Sequence, residues 1–271
     1  MNKNLLDIDN LTEGIMKDNE INDINLQKYY KLRRFLSALR NDKFTFQKPS
    51  NWDDPFEDFI SKLTNYSKYA YVNRLEISHG IYAMSTLNKK IESEAMWKNF
   101  ANSTGVLVHT TTRKIIKSII KYLIDNDCFK DRNLHFSGRD VERQLVNSIK
   151  INKIEYMTDE KIANYFKQAT NKEQFDYGRL AFNALSIKRR EYDYESEYRV
   201  FIVPKLLGLE KVKLLHIGYF KETIDKVILS PLANDVRIIR LSNILEKKYG
   251  IHNIEKSHLY DLEYFKKKFD L

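Results

Sequence analysis

The sequence predicts an α+β fold: a single domain at residues 28–271, with a mixed or mainly antiparallel sheet and a helical insertion at about residues 112–190. Strand-like runs open and close this domain around the helical middle, which differs from the regular alternation of βαβ units. Of the 271 residues, 42% are hydrophobic and 13% aromatic, so the chain can bury a substantial core. We therefore expect a folded protein without internal repeats.

The predicted strands rest on alternating, β-branched or aromatic runs. They cover residues 43–47, 81–86, 106–109, 198–203, 211–216 and 226–230. Helical spacing predicts short helices at 94–102 and 241–249, and a helical or mixed segment at 26–39. Within the insertion, an apolar stripe is formed by Ile115, Ile116, Ile119, Ile120 and Leu123. The lysines on the same turns favour a helix packed on the core with a solvated basic face, and the alternative is a phosphate-binding helix.

Residues 1–27 form an acidic N-terminal arm or helix. They hold six acids and two lysines, a local charge of −4. Because the whole chain has a net charge of +9, residues 28–271 carry +13. A basic body favours acidic partners such as nucleic acid, although a lysine-rich surface that only keeps the protein soluble is about equally compatible with it. The arm would shield the basic surface or dock a partner.

Several classes of protein are excluded by what the sequence lacks. Cys128 is the single cysteine, so neither an internal disulfide framework nor a cysteine-based zinc site is expected. Neither a signal-peptide pattern nor an apolar run of membrane-spanning length is found, so we expect a cytoplasmic protein without a membrane partner. The chain also shows no phosphate-binding glycine loop, no zinc-hydrolase His pair and no nucleophile elbow.

The segment Tyr194-Glu195-Ser196-Glu197-Tyr198-Arg199 is the leading candidate for chemistry. If it begins a strand, Glu195 and Glu197 project from one face together with Arg199. Such carboxylates stabilise positive charge or divide acid and base roles. From spacing alone, a solvated ladder of charges is the more common explanation.

Four segments resemble the bacterial domain-of-unknown-function 2971 family. They are Tyr30-Lys31-Leu32-Arg33, Pro49-Ser50-Asn51-Trp52-Asp53-Asp54-Pro55-Phe56-Glu57, Met96-Trp97-Lys98-Asn99-Phe100 and Tyr194-Glu195-Ser196-Glu197-Tyr198-Arg199. The family usually has Phe-Asn-Asp-Pro where this chain has Trp52-Asp53-Asp54-Pro55.

A second resemblance is to ADP-ribosyltransferases with the motif order Arg, Ser-Thr-Ser, Glu-x-Glu. The corresponding residues are Arg33, then Ser85-Thr86, then Glu195-Ser196-Glu197, with Leu87 in place of the last serine. This resemblance implies an ADP-ribosyltransferase-like fold, NAD as substrate and no metal.

The same resemblance implies roles for individual residues. Glu197 would stabilise the oxocarbenium-like ribose, and Glu195 would orient or deprotonate the acceptor. Arg33 would pair with the dinucleotide phosphates, and Ser85 would steady Glu197 or the ribose. Trp97 or Tyr29 would stack on nicotinamide, although each is more often a core residue.

The loop that carries Asn51 and Asp54 has two open interpretations. Both side chains would contact substrate if the loop lines the same cleft, or they would hold a structural turn through side-chain-to-backbone hydrogen bonds. The sequence supports both equally.

Three functions follow from these residues. The first is an NAD-dependent ADP-ribosyltransferase-like enzyme that modifies a nucleic acid, with RNA favoured, or a protein; it would suit a toxin or phage-defence effector with a neutralising protein partner. The second is a non-enzymatic nucleic-acid-binding or regulatory module that uses Lys114, Lys117, Arg189 and Arg190. The third is a metal-dependent nuclease with Glu195, Glu197 and Asp54 as metal-binding acids.

Overall fold

A computed structural model describes residues 7–52, 54, 56–57, 80–128, 138–170, 182–207, 209 and 212–270. The helices are α1 (Ile8–Asp18), α2 (Leu32–Asn41), α3 (Glu94–Met96), α4 (Thr112–Asp125), α5 (Gly138–Ser148), α6 (Asp159–Thr170), α7 (Asp235–Tyr249) and α8 (Leu262–Phe269). The strands are β1 (Asn25–Tyr30), β2 (Phe44–Gln47), β3 (Tyr82–Leu87), β4 (Val106–Thr111), β5 (Ile149–Lys153), β6 (Glu155–Met157), β7 (Ile187–Arg189), β8 (Glu197–Ile202), β9 (Leu214–Ile217), β10 (Lys226–Leu229) and β11 (Ile254–Lys256).

The chain divides into two compact units, each assembled from three segments. The first unit comprises Met1–Ile21, Thr45–Thr86 and Leu123–His216, and the second comprises Asn22–Phe44, Leu87–Tyr122 and Ile217–Leu271. The single domain at 28–271 stays a prediction. Residues 25–27, assigned to the acidic arm from the sequence, form the first half of β1.

The first unit contains a sheet in which β8 lies between β3 and β5. Strands β5 and β8 run antiparallel, with Ile151 opposite Val200, and β2 pairs antiparallel with β3 through Gln47 and Ala83. A smaller parallel pair is formed by β6 and β7. The apolar core of this unit consists of Ile81, Ala83, Ile162, Ala184, Leu185, Ile187, Phe201 and Val203.

The second unit contains the antiparallel strands β1, β4 and β10, with β11 parallel to β10. Tyr29, Leu87, Met96, Trp97, Ala101, Leu107 and Ile228 form one buried cluster. A second group of aromatic rings surrounds Phe220, whose centroid lies 5.4 Å from Phe44 and 6.1 Å from Phe35. Both units therefore combine helices with a mainly antiparallel sheet, which confirms the α+β prediction.

Helix α1 is amphipathic and packs by its apolar side. The Asp7 carboxylate caps its N-terminus by accepting hydrogen bonds from the backbone N–H groups of Asp9 and Asn10. Leu11, Ile15 and Met16 are buried. Residues 1–6 of the predicted arm lie outside the described residues.

Most strand predictions are confirmed, and the middle of the chain differs from the prediction. Residues 43–47, 81–86, 106–109, 198–203 and 226–230 fall on β2, β3, β4, β8 and β10. The strand predicted at 211–216 corresponds to β9, which begins at Leu214, and Lys211 lies outside the described residues. The segment 112–190 is not uniformly helical, since β5, β6 and β7 lie within it. These strands are three to five residues long and lie between helices. Their alternation of apolar and polar residues is therefore too short to be recognised within a helical pattern.

Candidate active site

The candidate site lies in the first unit, where the chain passes from β7 through a short 3₁₀ helix into β8. That helix spans Arg190–Glu195, and Ser196 follows in the left-handed region with a φ of 50°. A non-glycine residue in this region is uncommon, and it turns the chain sharply. Strand β8 then begins at Glu197.

The turn at Ser196 corrects the prediction that both glutamates project from one strand. Glu195 ends the 3₁₀ helix, and only Glu197 belongs to β8. Their carboxylates still converge, because both contact the ammonium of Lys188: Nζ lies 2.7 Å from Oε2 of Glu195 and 3.3 Å from Oε2 of Glu197. Lys188 lies on β7 and had no signal in the sequence.

A third carboxylate joins them from Glu57, three residues after Asp54. Oε1 of Glu57 lies 2.8 Å from Nζ of Lys188, and Oε2 of Glu57 lies 3.0 Å from Nη2 of Arg199. The Lys188 ammonium thus lies among three carboxylates and supplies the positive charge that they need. Within the described residues, no group of three or more His, Cys, Asp or Glu side chains is placed to hold a metal ion.

Arg199 is the second cation of the site, and its side chain is completely buried. Its guanidinium donates two hydrogen bonds to Glu197, from Nε at 2.7 Å and from Nη2 at 3.1 Å, and a third from Nη1 to the Leu185 carbonyl at 2.7 Å. The ring of Trp52 covers one face of this guanidinium, with its centroid 4.2 Å from Cζ. We call Glu57, Lys188, Glu195, Glu197 and Arg199 the ionic cluster.

The ionic cluster is withdrawn from water. Glu195 is 4% exposed and Glu197 2% exposed. The interpretation of the Glu-x-Glu-x-Arg pattern as a solvated ladder is therefore wrong. With every member ionised, the three carboxylates and two cations leave a net charge of −1 in a buried environment.

The two glutamates have different proton affinities. Burial is the largest influence on Glu197 and opposes its ionisation, but Arg199, Lys188 and a hydrogen bond from Ser85 outweigh it and lower the pKa to about 2. Burial raises the pKa of Glu195, and the contact with Lys188 offsets this only in part. Glu197 is therefore a permanent anion, whereas Glu195 is the member closer to taking up a proton.

A small cleft of about 10 Å³, room for about one water molecule, lies beside the ionic cluster. It is lined by Asp54, Phe56, Glu57, Ile162, Ala184, Ile187, Lys188 and Arg189. The guanidinium carbon of Arg189 lies 4.5 Å from the centroid of the Phe56 ring, which is 45% exposed. Nη2 of Arg189 contacts Oδ2 of Asp54 at 3.3 Å, whereas its buried Nε has no hydrogen-bond partner in the described part of the chain. Arg189 therefore keeps one hydrogen-bond donor unused within the described residues.

The structure places the predicted residues in both units. Ser85 contacts Glu197, as the pKa of that glutamate reflects. Thr86 is buried and donates a hydrogen bond to the Tyr198 carbonyl at 3.0 Å, so it links β3 to β8. Asn51 is exposed at the end of a 3₁₀ turn, and Asp54 accepts a hydrogen bond from the backbone N–H of Phe56 at 2.9 Å. Asp53 and Pro55 lie outside the described residues.

The other three predicted residues belong to the second unit. Arg33 is exposed on α2. Tyr29 and Trp97 are 7% and 3% exposed and pack edge to face with their ring centroids 5.0 Å apart. The Tyr29 hydroxyl accepts from the backbone N–H of Ser93, and Nε1 of Trp97 donates to Glu92 at 2.9 Å. Both rings thus take part in a packed core, and their contact with nicotinamide stays a prediction.

The comparison with known proteins supports one of the two resemblances. Residues 96–200 match a family described as a protein of unknown function (DUF2971). No curated protein and no solved structure matches the chain significantly. The matched region contains β7, the 3₁₀ helix and most of β8, and thus Lys188, Glu195, Glu197 and Arg199. The resemblance to the domain-of-unknown-function 2971 family is therefore confirmed over residues 96–200.

Proposed function

We propose that the ionic cluster is the catalytic centre of an NAD-dependent ADP-ribosyltransferase-like enzyme, with a fold of that class. One observation carries the proposal: the buried carboxylates of Glu195 and Glu197 converge on the Lys188 ammonium, at 2.7 and 3.3 Å from Nζ, in surroundings that raise the pKa of Glu195 and lower that of Glu197. Pairs of titratable groups whose environments separate their pKa values commonly divide the catalytic roles between them. Glu197 supplies fixed charge, and Glu195 handles the proton.

The fixed charge suits glycosidic bond cleavage in NAD. When the bond between nicotinamide and the ribose C1′ breaks, the electron pair leaves with nicotinamide and positive charge develops on the ribose. The net charge of −1 within the buried ionic cluster stabilises that charge more than it stabilises the ground state. Ser85 and Arg199 hold the Glu197 carboxylate in one orientation, so little reorganisation is needed during the reaction.

In the transfer step, Glu195 takes up the proton that the acceptor loses. A lone pair of the acceptor forms the new bond to C1′, and the acceptor proton passes to the Glu195 carboxylate. The raised pKa makes this carboxylate a better proton acceptor than an exposed glutamate. Lys188, 2.7 Å from Oε2, keeps it ionised and correctly placed before transfer.

The side chains that line the adjoining cleft have the chemistry to contact parts of NAD beyond the ribose. The Phe56 ring, 45% exposed, would face the nicotinamide, and the partly exposed Arg189 guanidinium would pair with a phosphate oxygen. We therefore assign these roles to Phe56 and Arg189 instead of Tyr29, Trp97 and Arg33, because they lie beside the ionic cluster. The acceptor is a nucleic acid, with RNA favoured, or a protein, and the role is that of a toxin or phage-defence effector with a neutralising partner.

Nicotinamide release tests the proposal. The purified full-length chain is incubated with NAD in the presence of RNA, DNA or cell lysate. Removal of a preorganised stabilising group commonly lowers the rate by about 100-fold or more, so we expect at least that loss for Glu197→Gln. Glu191→Gln is the matched control, because Glu191 is an exposed acid in the same 3₁₀ helix, and it should keep the wild-type rate. Equal nicotinamide release by wild type and Glu197→Gln would contradict the catalytic role of Glu197.

The pH dependence separates a catalytic role from a loss of folding. If ionised Glu195 is the base, the wild-type rate falls as the pH drops through its raised pKa. The Glu195→Gln variant should release nicotinamide slowly, and its rate should not fall over this pH range. A Glu195→Gln variant with the wild-type pH profile would contradict the proposed role, and thermal unfolding of each variant shows whether it remains folded.

A further inference from the structure

Helix α2 carries a cationic face that the proposed chemistry does not use. Its side chains Arg33, Arg34, Ser37, Arg40 and Asn41 are exposed, and the helical repeat places them within about one third of the circumference. The opposite side is anchored by Phe35 and Leu39, which are buried. The helix therefore presents three arginines to solvent from a fixed backbone.

These arginines have no acidic partner among the residues that the structure describes. Neither Arg33, Arg34 nor Arg40 forms an ion pair or a side-chain hydrogen bond there. Helix α4 of the same unit is different: Arg113 lies 3.6 Å from Asp23, Lys121 lies 2.5 Å from Glu222, and Lys114 pairs with Asp225. The charge of α4 is thus compensated within the unit, and the charge of α2 is not.

We propose that this face of α2 binds the phosphate backbone of single-stranded RNA. Arginine guanidinium groups donate paired hydrogen bonds to phosphate oxygens and are weakly hydrated, so they suit repeated phosphate contacts. Arg33 and Arg40 are seven residues apart, a rise of roughly 10 Å, so the three guanidinium groups can reach more than one phosphate of the same strand. Ser37 lies between the arginines and Asn41 follows Arg40, and they offer a hydroxyl and an amide to the ribose 2′-hydroxyl.

Other anionic surfaces fit this face less well. A helix that binds a membrane surface presents apolar side chains beside its cations, and the apolar side chains Phe35 and Leu39 point into the core instead. The face carries no exposed aromatic anchor of the kind that dominates protein interfaces. The inference goes beyond the proposed NAD chemistry and does not depend on it, because binding is measured without NAD.

The test is binding of a fluorescent 20-nucleotide single-stranded RNA of mixed sequence to the full chain over a range of salt concentrations. Each phosphate contact contributes a slope of about −0.7 to the dependence of log K on log salt, so Arg33→Gln/Arg34→Gln/Arg40→Gln should reduce the slope by about 2 and the affinity by roughly 100-fold at 0.1 M salt. The matched control Arg237→Gln/Arg240→Gln/Lys247→Gln removes the same charge from the exposed side of α7 and should bind within a few-fold of wild type. The conservative variant Arg33→Lys/Arg34→Lys/Arg40→Lys should keep most of the salt slope.

Four outcomes would overturn the inference. The wild type does not bind this RNA; the α2 and α7 variants weaken equally; DNA of the same sequence binds as tightly as RNA; or vesicles containing phosphatidylglycerol bind in place of RNA. Circular dichroism of both glutamine variants excludes unfolding, and a folded lysine variant that binds like wild type supports the charge contacts. Loss of RNA binding with nicotinamide release intact affects the α2 face alone. Loss of nicotinamide release with RNA binding intact affects the proposed catalytic function alone.

Discussion

The ionic cluster of the first unit and the cationic face of α2 in the second use the same kinds of side chain in opposite ways. In the ionic cluster, Arg199 is fully buried and each of its polar groups has a protein partner. On α2, Arg33 is exposed and has no carboxylate partner in the described part of the chain. Burial makes the first set strongly interdependent, whereas solvent screens the second. An arginine is therefore held by protein partners in one place and exposed to solvent in the other.

The largest expected effect is the loss of the buried guanidinium. Arg199→Met removes the main cation of Glu197 and one of the two cations of Glu57 from a buried environment, and removal of one partner from a buried ion pair typically costs about 3–5 kcal/mol. We expect the free energy of unfolding, measured by urea titration, to fall by about that amount. A decrease below ~1 kcal/mol would show that the ionic cluster is better solvated than its burial indicates.

An intermediate effect should appear in acid. The pKa of Glu197 is about 2 in the folded protein and 4.5 as the reference value, so its ionisation contributes roughly 3 kcal/mol of stability. This contribution is fully present above pH 4.5 and is lost as the pH falls towards 2. The stability difference between wild type and Glu197→Gln, measured by urea titration at each pH, should therefore shrink over this range. A difference independent of pH would contradict the lowered pKa.

The smallest effect is expected on α2. Replacement of Arg33 by Gln removes an exposed charge without a partner and keeps a good helix former, so the free energy of unfolding should change by less than about 0.5 kcal/mol. Urea titration under the conditions used for Arg199→Met gives the direct comparison. A change above ~1 kcal/mol would reveal a structural contact of Arg33 and would weaken the contrast between the two regions.

Local pattern was sufficient for part of the fold. The apolar stripe at Ile115, Ile116, Ile119 and Ile120 is buried in α4 as its helical spacing predicts, and the alternation at Phe44 and Phe46 forms β2 with both rings inside. Strands β5 to β7 were missed because each is short and bordered by helices, so partner strands elsewhere in the chain determine them. The π-helical turn at Trp97–Ala101 likewise has no signature in residue spacing.

The sequence by itself determined the class of fold, the basic charge of the body and the candidate segment Glu195-Ser196-Glu197 with Arg199 two residues beyond it. It also placed Ser85 beside Glu197 in its proposed role, and the hydrogen bond between them agrees with that expectation. Only the tertiary structure decided that these carboxylates are buried, because burial depends on Trp52 and Glu57 from another segment of the first unit, together with Lys188 on β7. The sequence lists the charges of the chain, but dielectric environment and ion pairing, which set their pKa values, arise only when distant segments meet.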